Sequence, residues 1–274
     1  MANRISDSFT HAKNQGRGIL GVFVSAGDPT EEICVQILDQ LVENGADLIE
    51  LGMPFSDPMA DGPAIQAASL RAIKSGMTLA KTLVIAKNFR ERHPDVPLIL
   101  MGYYNPIYMY GCDAFLKEAG KAGVDGLIIV DLPPEEDGEL CDPARDAGLD
   151  FIRLTTPTTK GKRLERVLEK AGGFVYYVSI TGITGTKSAG ADSIKSAVSD
   201  IRGATDLPVV TGFGIRTPEQ AAEAAHLSDG AIIGSAVVDI IAQNIDEDGK
   251  PSSDIPQKIG AFVGTLSKAI AKGQ

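Results

Sequence analysis

Three carboxylates lie close together at the end of an apolar segment, and they are the residues of this chain best suited to chemistry. The segment DLIELG, residues 47–52, has the length and composition of a buried strand and contains Glu50. Asp57 and Asp61 follow on a loop that three prolines and two glycines stiffen. A buried parallel strand is almost continuously apolar, so a charged and unpaired glutamate inside it costs several kcal/mol. Two acids in different surroundings, one dry and one more hydrated, can serve separately as an acid and a base.

The composition limits the classes of partner. The chain has 274 residues, of which 43% are hydrophobic and 23% charged, as is ordinary for a soluble globular protein. This length suits one large α/β domain or two small ones. The net charge of -10 argues against nucleic acid, because no basic stripe is available to neutralise a phosphate backbone. Small anionic ligands remain possible, since backbone amides bind them without Lys or Arg.

Cysteine and histidine usage favours a cytoplasmic protein without a metal site. The three cysteines are widely spaced and form no CxxC pair, which suits a reducing compartment. The three histidines are scattered, and none belongs to an HExxH motif. The first residues contain no apolar core of signal-peptide length, and no apolar run approaches the length of a membrane span. We therefore expect neither secretion nor membrane insertion.

Short apolar runs alternate with amphipathic helical stretches along the chain. The predicted strands are residues 19–26, 47–52, 98–104, 126–132, 151–155, 174–180, 208–214 and 230–235, and the predicted helices are 31–43, 79–92, 114–122, 162–171, 193–201 and 218–225. This alternation indicates right-handed βαβ crossovers and a parallel sheet. Eight units predict a single (β/α)8 TIM barrel domain over residues 1–274, and an open doubly wound sheet is the alternative. We also expect an extra N-terminal helix and, after strand 2, an extended loop with a short helix over residues 65–73.

Two sequence patterns mark helix starts. In DPTE, residues 28–31, Asp28 is predicted to cap a helix whose first position is proline and whose third is glutamate. In TPEQ, residues 217–220, Thr217 is predicted to do the same. For Asp28 we therefore expect a capping role and not a catalytic one.

The last three strands are followed by glycine and small hydroxyl residues. GITG at 182–185 follows the sixth strand, GFGI at 212–215 ends the seventh, and GS at 234–235 ends the eighth. Barrels often bind phosphate at the loops after strands seven and eight, against a helix N-terminus. We therefore predict a phosphate site here; the alternative is that the glycines only relieve crowding at the strand ends.

The sixth strand leaves a question of orientation open. It carries two adjacent tyrosines, Tyr176 and Tyr177. Because side chains alternate along a strand, these two tyrosines point to opposite faces. Either of them could line the barrel interior.

Residues 50–63, ELGMPFSDPMADGP, resemble the signature of the tryptophan synthase alpha chain family. Supporting stretches occur in the family's order: AGDP at 26–29, DLPPEE at 131–136, TGITG at 181–185 and GFGI at 212–215. The resemblance covers essentially the whole chain. It implies a (β/α)8 barrel that cleaves indole-3-glycerol phosphate to indole and glyceraldehyde 3-phosphate without a metal or an organic cofactor.

The resemblance also implies a partner. Members of this family pass indole to a beta chain that carries pyridoxal phosphate, in an alpha2-beta2 tetramer. By the same resemblance, the contacts with the beta chain are Pro54, Asp57, Pro58 and Asn105.

The resemblance assigns the chemistry to two carboxylates. Glu50 would deliver a proton to carbon 3 of the indole and act as the base for the side-chain hydroxyl. We expect apolar neighbours, such as Ile49 and the residues around Leu51, to raise the pKa of Glu50. Asp61 would hold or accept the indole N–H, and a loop cap before Gly62 is the alternative. The other residues that the resemblance places around the substrate are Phe23, Tyr103, Val130, Leu154, Tyr176, Thr184, Gly185, Phe213, Gly214, Gly234 and Ser235.

Three other functions compete with this one. Indole-glycerol-phosphate synthase, another phosphate-binding barrel, needs a lysine general acid at a strand end, and no predicted strand ends in lysine. A barrel that serves only as a scaffold would have lost Glu50 or Asp61, and both are present. A standalone lyase that releases indole without a partner remains open.

Overall fold

The computed structural model of the chain describes residues 3–179, 187–212 and 214–272. Its α-helices are α1 (Arg4–Asn14), α2 (Glu31–Glu43), α3 (Pro63–Lys74), α4 (Leu79–Arg92), α5 (Tyr104–Tyr110), α6 (Cys112–Lys121), α7 (Cys141–Asp146), α8 (Lys162–Leu168), α9 (Lys187–Arg202), α10 (Pro218–Leu227), α11 (Ser235–Gln243) and α12 (Ile255–Lys272). A short 3-10 helix, Pro134–Glu139, precedes α7. Among the helices in these ranges, none combines the length and the apolar character that crossing a membrane requires.

The strands form one parallel sheet that closes on itself. They are β1 (Ile19–Ser25), β2 (Leu48–Gly52), β3 (Leu98–Gly102), β4 (Gly126–Ile129), β5 (Asp150–Phe151), β6 (Arg153–Thr155), β7 (Val175–Val178), β8 (Val209–Gly212) and β9 (Gly230–Ile233). The hydrogen-bonded order is β5-β4-β3-β2-β1-β9-β8-β7-β6. Because only Ile152 separates β5 from β6, these two are halves of one strand, and the sheet is an eight-stranded barrel. The predicted barrel is confirmed, and the open sheet was the wrong alternative.

Several element boundaries agree with the predicted ones, and others are shifted by a few residues. Helices α2 and α4 have the predicted bounds, and α1 is the predicted extra N-terminal helix. Helix α3 begins at Pro63, earlier than predicted, because proline is well suited to the first helical position. Strand β3 ends at Gly102, before its predicted end, since Tyr103 is already the N-cap of α5.

Alternate strand residues point into the barrel and form one apolar cluster. Leu48, Ile99 and Ile128 belong to this interior cluster, whereas the intervening residues pack outward beneath the helices. Helix α1 closes the N-terminal end of the barrel, where the ring centroids of Phe9 and Phe174 are 5.8 Å apart. The interior is therefore dry at this end.

The same alternation answers the question of the two tyrosines. Tyr176 belongs to the interior cluster. Tyr177 lies on the outer face with Leu164 of α8 and Val198 of α9, and its hydroxyl is hydrogen-bonded to Ser193. Tyr176 is therefore the tyrosine that lines the barrel interior.

Aspartates at the base of the barrel fix the strand register. Asp47 precedes β2, and its Oδ2 accepts a hydrogen bond from the Leu20 backbone N–H of β1 at 2.8 Å. Arg17 holds the same carboxylate with two contacts, of 2.6 and 2.8 Å. This clamp sets β2 against β1 so that Glu50 lies opposite Phe23.

Asp28 does not cap α2, so that prediction was wrong. The N-cap is Thr30, whose hydroxyl accepts a hydrogen bond from the Ile33 N–H. Asp28 is instead buried and paired with Arg71 of α3. The local sequence pattern predicted a cap, but the Asp28 side chain instead pairs with Arg71, which is distant in sequence. The second capping box is confirmed, because Thr217 and Gln220 exchange the expected hydrogen bonds.

Candidate active site

Glu50 lies on β2 and is 1% exposed. Like Leu48, two residues earlier, it points into the barrel, whereas Ile49 and Leu51 pack outward. Burial raises the pKa of its carboxyl to about 8. Among the described residues, none forms a hydrogen bond with Oε1 of Glu50. The pKa is therefore raised as expected, but by the barrel interior and not by the predicted neighbours.

Tyr176 and Phe23 are the aromatic residues near Glu50. Burial, and secondarily the charge of Glu50, raise the pKa of the Tyr176 hydroxyl well above its usual value. A β-carbon on Gly212 would overlap Tyr176, and one on Gly52 would lie 2.6 Å from Cζ of Phe23. These two glycines are therefore needed to make room for aromatic rings, in agreement with the crowding explanation for Gly212.

Asp61 is held by Tyr103 on the loop between β2 and α3. The Tyr103 hydroxyl donates a hydrogen bond to the Asp61 carboxylate and accepts one from the Ala60 N–H at 3.0 Å. Partial burial raises the pKa of Asp61, and the bond from Tyr103 lowers it in part. Gly62 is the N-cap of α3, without any side-chain capping bond. The arrangement argues against the loop-cap role for Asp61.

A narrow cavity lies beside Asp61 and Tyr103. Phe23, Asp61, Tyr103 and Val130 are among its lining residues. Its volume is about 10 Å³, which is close to the minimum for one water molecule. A larger ligand must therefore displace side chains, and Met101 in the lining is an adaptable one.

The end of β9 supplies a helix N-terminus to the same mouth. Gly234 is the N-cap of α11, and the N–H groups of Val237 and Val238 both bond to its carbonyl oxygen. A β-carbon on Gly234 would lie 3.3 Å from Cβ of Phe23. The N–H groups at the start of α11, including that of Ser235, therefore face a position next to the aromatic wall, where an anion is favoured.

The structure locates some of the remaining predicted site residues. Leu154 joins Val130 among the side chains packed against the interior cluster. Gly214 is exposed, with φ of 74°. Thr184, Gly185 and Phe213 lie outside the described residues.

The four residues expected to contact a partner differ in exposure. Asp57 and Asn105 are exposed, and Pro54 is partly buried. Pro58 is buried within the chain, and the partner contacts of all four residues stay predictions.

Sequence reasoning missed two features of this end of the barrel. Ser25 of β1 lies opposite Gly52, and its buried hydroxyl has no hydrogen-bond partner within the described ranges. Several large apolar side chains are also exposed on the loop after β2 and on helix α5, which follows β3. They are Met59 (75%), Tyr108 (61%), Met109 (75%) and Tyr110 (36%). The apolar run at residues 107–110 could have indicated the exposed apolar side chains. Nothing in the neighbouring sequence indicated that the Ser25 hydroxyl would be buried without a partner within the described ranges.

The chain resembles proteins of known family over nearly its whole length. The family model described as tryptophan synthase alpha chain matches residues 9–268. A tryptophan synthase alpha chain from Legionella pneumophila subsp. pneumophila is 37% identical, with a TM-score of 0.88 and coverage of 98% of both chains. A subunit alpha from Legionella pneumophila str. Paris is 38% identical, with a TM-score of 0.88 and coverage of 98% of this chain and 99% of that one. A tryptophan synthase chain from M. tuberculosis is 30% identical, with a TM-score of 0.85 and coverage of 98% and 99%.

The buried acid predicts that Glu50→Gln stabilises the fold. The folded-state pKa of about 8 exceeds the ordinary glutamate pKa of 4.5, so ionisation favours the unfolded chain between these two pH values. Relative to wild type, the variant should gain nothing below pH 4.5 and about 3 kcal/mol at pH 7. Urea unfolding midpoints at pH 5 and pH 7.5 measure the gain. Glu223→Gln, at an exposed position of α10, controls for the loss of a surface carboxylate. A gain that fails to widen with pH would contradict a buried, protonated Glu50.

Proposed function

We propose that Glu50 and Asp61 carry out the chemistry of the tryptophan synthase alpha chain family, to which this chain belongs. The chain is a carbon–carbon lyase that cleaves indole-3-glycerol phosphate to indole and glyceraldehyde 3-phosphate. The observation that carries the residue assignment is the buried carboxyl of Glu50, whose pKa of about 8 keeps a proton on it at neutral pH. Such a group is suited both to give and to take a proton.

The reaction begins with proton transfer from Glu50 to carbon 3 of the indole ring. Positive charge then develops on the ring nitrogen, and the Glu50 carboxylate left behind is the base for the next step. It accepts the proton of the side-chain hydroxyl as the bond between carbon 3 and the hydroxyl-bearing carbon breaks. The electron pair of that bond returns to the ring, so indole leaves, the aldehyde forms and Glu50 is again protonated. One group acts as acid and then as base, as a pKa near neutrality allows.

Asp61 has the complementary task of countering the charge on the indole nitrogen. Its carboxylate is acceptor-only when ionised, and the Tyr103 hydroxyl favours that form by donating to it. A carboxylate has room for further hydrogen bonds, so the indole N–H can bond to it while Tyr103 remains attached. Tyr103 thus orients the group that binds the substrate.

The substrate phosphate is proposed to bind at the N-terminus of α11. The Ser235 N–H belongs to the first turn of that helix, whose Gly234 cap carries no side chain that could block an anion. Phe23 lies beside Gly234 and also lines the narrow cavity next to Asp61. This arrangement supports a substrate that spans from α11 to Asp61, with Tyr176 beside Glu50. We include Thr184, Gly185, Phe213 and Gly214 in the same substrate site.

Removing either carboxylate should slow cleavage strongly. Glu50→Gln cannot transfer a proton, so a loss of about 10²–10⁴-fold in kcat is expected. Asp61→Asn cannot counter positive charge and should also lose cleavage. Indole release from indole-3-glycerol phosphate by the isolated variants measures both effects. Glu136→Gln, an exposed carboxylate on the loop after β4, is the control that should retain the wild-type rate. A kcat/KM of Asp61→Asn within about threefold of wild type would return Asp61 to a structural role.

We further propose that the chain hands indole to a beta chain that carries pyridoxal phosphate, in an alpha2-beta2 assembly. The similar chain from M. tuberculosis belongs to a solved tryptophan synthase. Support also comes from apolar side chains exposed on the loop after β2 and on α5, Met59 and Met109 among them. Asp57 lies on the same loop and Asn105 on the same helix, so a partner that binds there would contact the segment that carries Asp61.

A beta chain should therefore accelerate cleavage. A partner that binds one arrangement of the Asp61 loop better than others raises its population, and a shift from 1:99 to 99:1 needs about 5.5 kcal/mol of differential binding. The measurement compares the cleavage rate of the chain alone with that at saturating beta chain. Met109→Glu should weaken this acceleration, whereas Val84→Glu, at a similarly exposed apolar position on α4, should leave it intact. Equal rates with and without the beta chain would favour the standalone lyase.

A further inference from the structure

The location of Asp61 depends on the location of helix α3. Only Gly62 separates Asp61 from Pro63, the first residue of the helix. The Gln66 side chain also donates a hydrogen bond to the Asp61 carbonyl oxygen at 2.9 Å. A displacement or rotation of α3 would therefore carry Asp61 with it.

The apolar packing of α3 is weak for a helix that has to be positioned accurately. Its buried residues are Ala68, Ser69 and Ala72, all of them small. Leu70 and Ile73 of the same helix are exposed, at 46% and 36%. Ala64 and Ile65 near the start of α3 pack against Phe23 and Val238, but its C-terminal half buries no large side chain, so packing there does little to fix the helix against sliding.

Polar contacts hold the C-terminal half of α3 to the loop after β1. Arg71 Nε and Nη2 each lie 2.8 Å from a different oxygen of the Asp28 carboxylate, which is fully buried. Ser75 donates a hydrogen bond to the Gly27 carbonyl oxygen at 3.3 Å. Met77 packs so closely on Gly27 that a β-carbon there would overlap its side chain. A two-pronged arginine–carboxylate pair fixes direction as well as distance.

We infer that Arg71, held by Asp28, is a positioning residue for Asp61. The pair connects the helix that begins beside Asp61 to the loop that directly follows β1, the strand of Phe23. The pair therefore fixes the position of the Asp61 carboxylate relative to Phe23, which lines the same pocket. Tyr103 holds the other side of the Asp61 loop. This inference rests on the proposed role of Asp61 and adds a residue that never touches the substrate.

The Arg71–Asp28 pair acts on Asp61 through the geometry of α3. Arg71 lies ten residues beyond Asp61, almost wholly along one rigid helix, so a movement at one end reaches the other. A misplacement of about 1 Å at a reacting group can cost about 10²-fold in rate. Loss of the pair should therefore lower kcat and leave phosphate binding at α11 unchanged.

The test uses Arg71→Met and Arg71→Lys in the full chain. We expect Arg71→Met to lower kcat for indole-3-glycerol phosphate cleavage about 10- to 100-fold. The dissociation constant of glycerol 3-phosphate should stay within about twofold, since the hydrogen bonds of Arg71 are made with Asp28 and not with the N-terminus of α11. Arg71→Lys keeps the charge but not the two-pronged geometry, so it should fold well and still lose part of kcat.

Arg90→Met is the control. Arg90 of α4 donates a hydrogen bond to the Asp125 carboxylate at 2.6 Å, at the opposite end of the barrel from Asp61. The variant should lower the unfolding midpoint in urea and leave kcat within about twofold, measured well below the unfolding temperature. An equal loss of kcat in Arg90→Met and Arg71→Met would assign the effect to general stability and overturn the inference. So would an unchanged kcat in both Arg71 variants.

Asp61→Asn separates this inference from the proposed function. If Arg71 acts through Asp61, Arg71→Met should change the residual kcat of Asp61→Asn by less than about twofold. Equal fold losses in both backgrounds would overturn the inference while leaving Asp61 catalytic. If Asp61→Asn alone keeps the wild-type rate, the proposed role of Asp61 fails instead. If Asp61→Asn leaves no measurable rate, the comparison of Arg71→Met with Arg90→Met decides.

Discussion

Glu50 is a carboxylic acid in the apolar interior of a barrel, and the free-energy cost of ionising it there determines how the site works. Its pKa is about 8 because burial penalises the charged form. The described surroundings offer no hydrogen bond to Oε1 that would offset this penalty. A group in such a place destabilises the fold at neutral pH, and the barrel tolerates it because the rest of the interior is well packed. The same burial keeps the Glu50 carboxyl protonated near physiological pH, so that it can act as a proton donor.

The fold contributes by keeping two acids in different environments. Glu50 sits on a strand whose base is clamped by Asp47 and Arg17, so its depth in the barrel is fixed. Asp61 is on a loop at the mouth, more exposed and bonded to the Tyr103 hydroxyl. Glu50 can therefore hold a proton while Asp61 is ionised. The reaction needs both states at once, because Glu50 donates a proton to the indole ring and Asp61 stabilises the positive charge that develops on it.

The sequence predicted the features that local periodicity controls. The barrel, the strand that carries Glu50 and helices α2 and α4 followed from the spacing of apolar residues. Contacts between segments that are distant in sequence could not be predicted from local periodicity. The residues around Asp28 predict a helix cap, yet its carboxylate pairs with Arg71, which is distant in sequence. Nothing near Tyr103 indicates that its hydroxyl reaches back to Ala60, and the burial of Pro58 depends on how the whole loop folds.

The most direct test of Glu50 as the acid is the pH dependence of kcat/KM for indole-3-glycerol phosphate cleavage by the isolated chain. This parameter reports the ionisation of groups in the free enzyme. A Glu50 that must start protonated predicts a plateau near neutral pH and a decline above an apparent pKa of about 8. The phosphate of the substrate is fully ionised in that range, so the decline cannot come from it. A kcat/KM that stays constant or rises through pH 8 and beyond would contradict a protonated Glu50 as the catalytic acid.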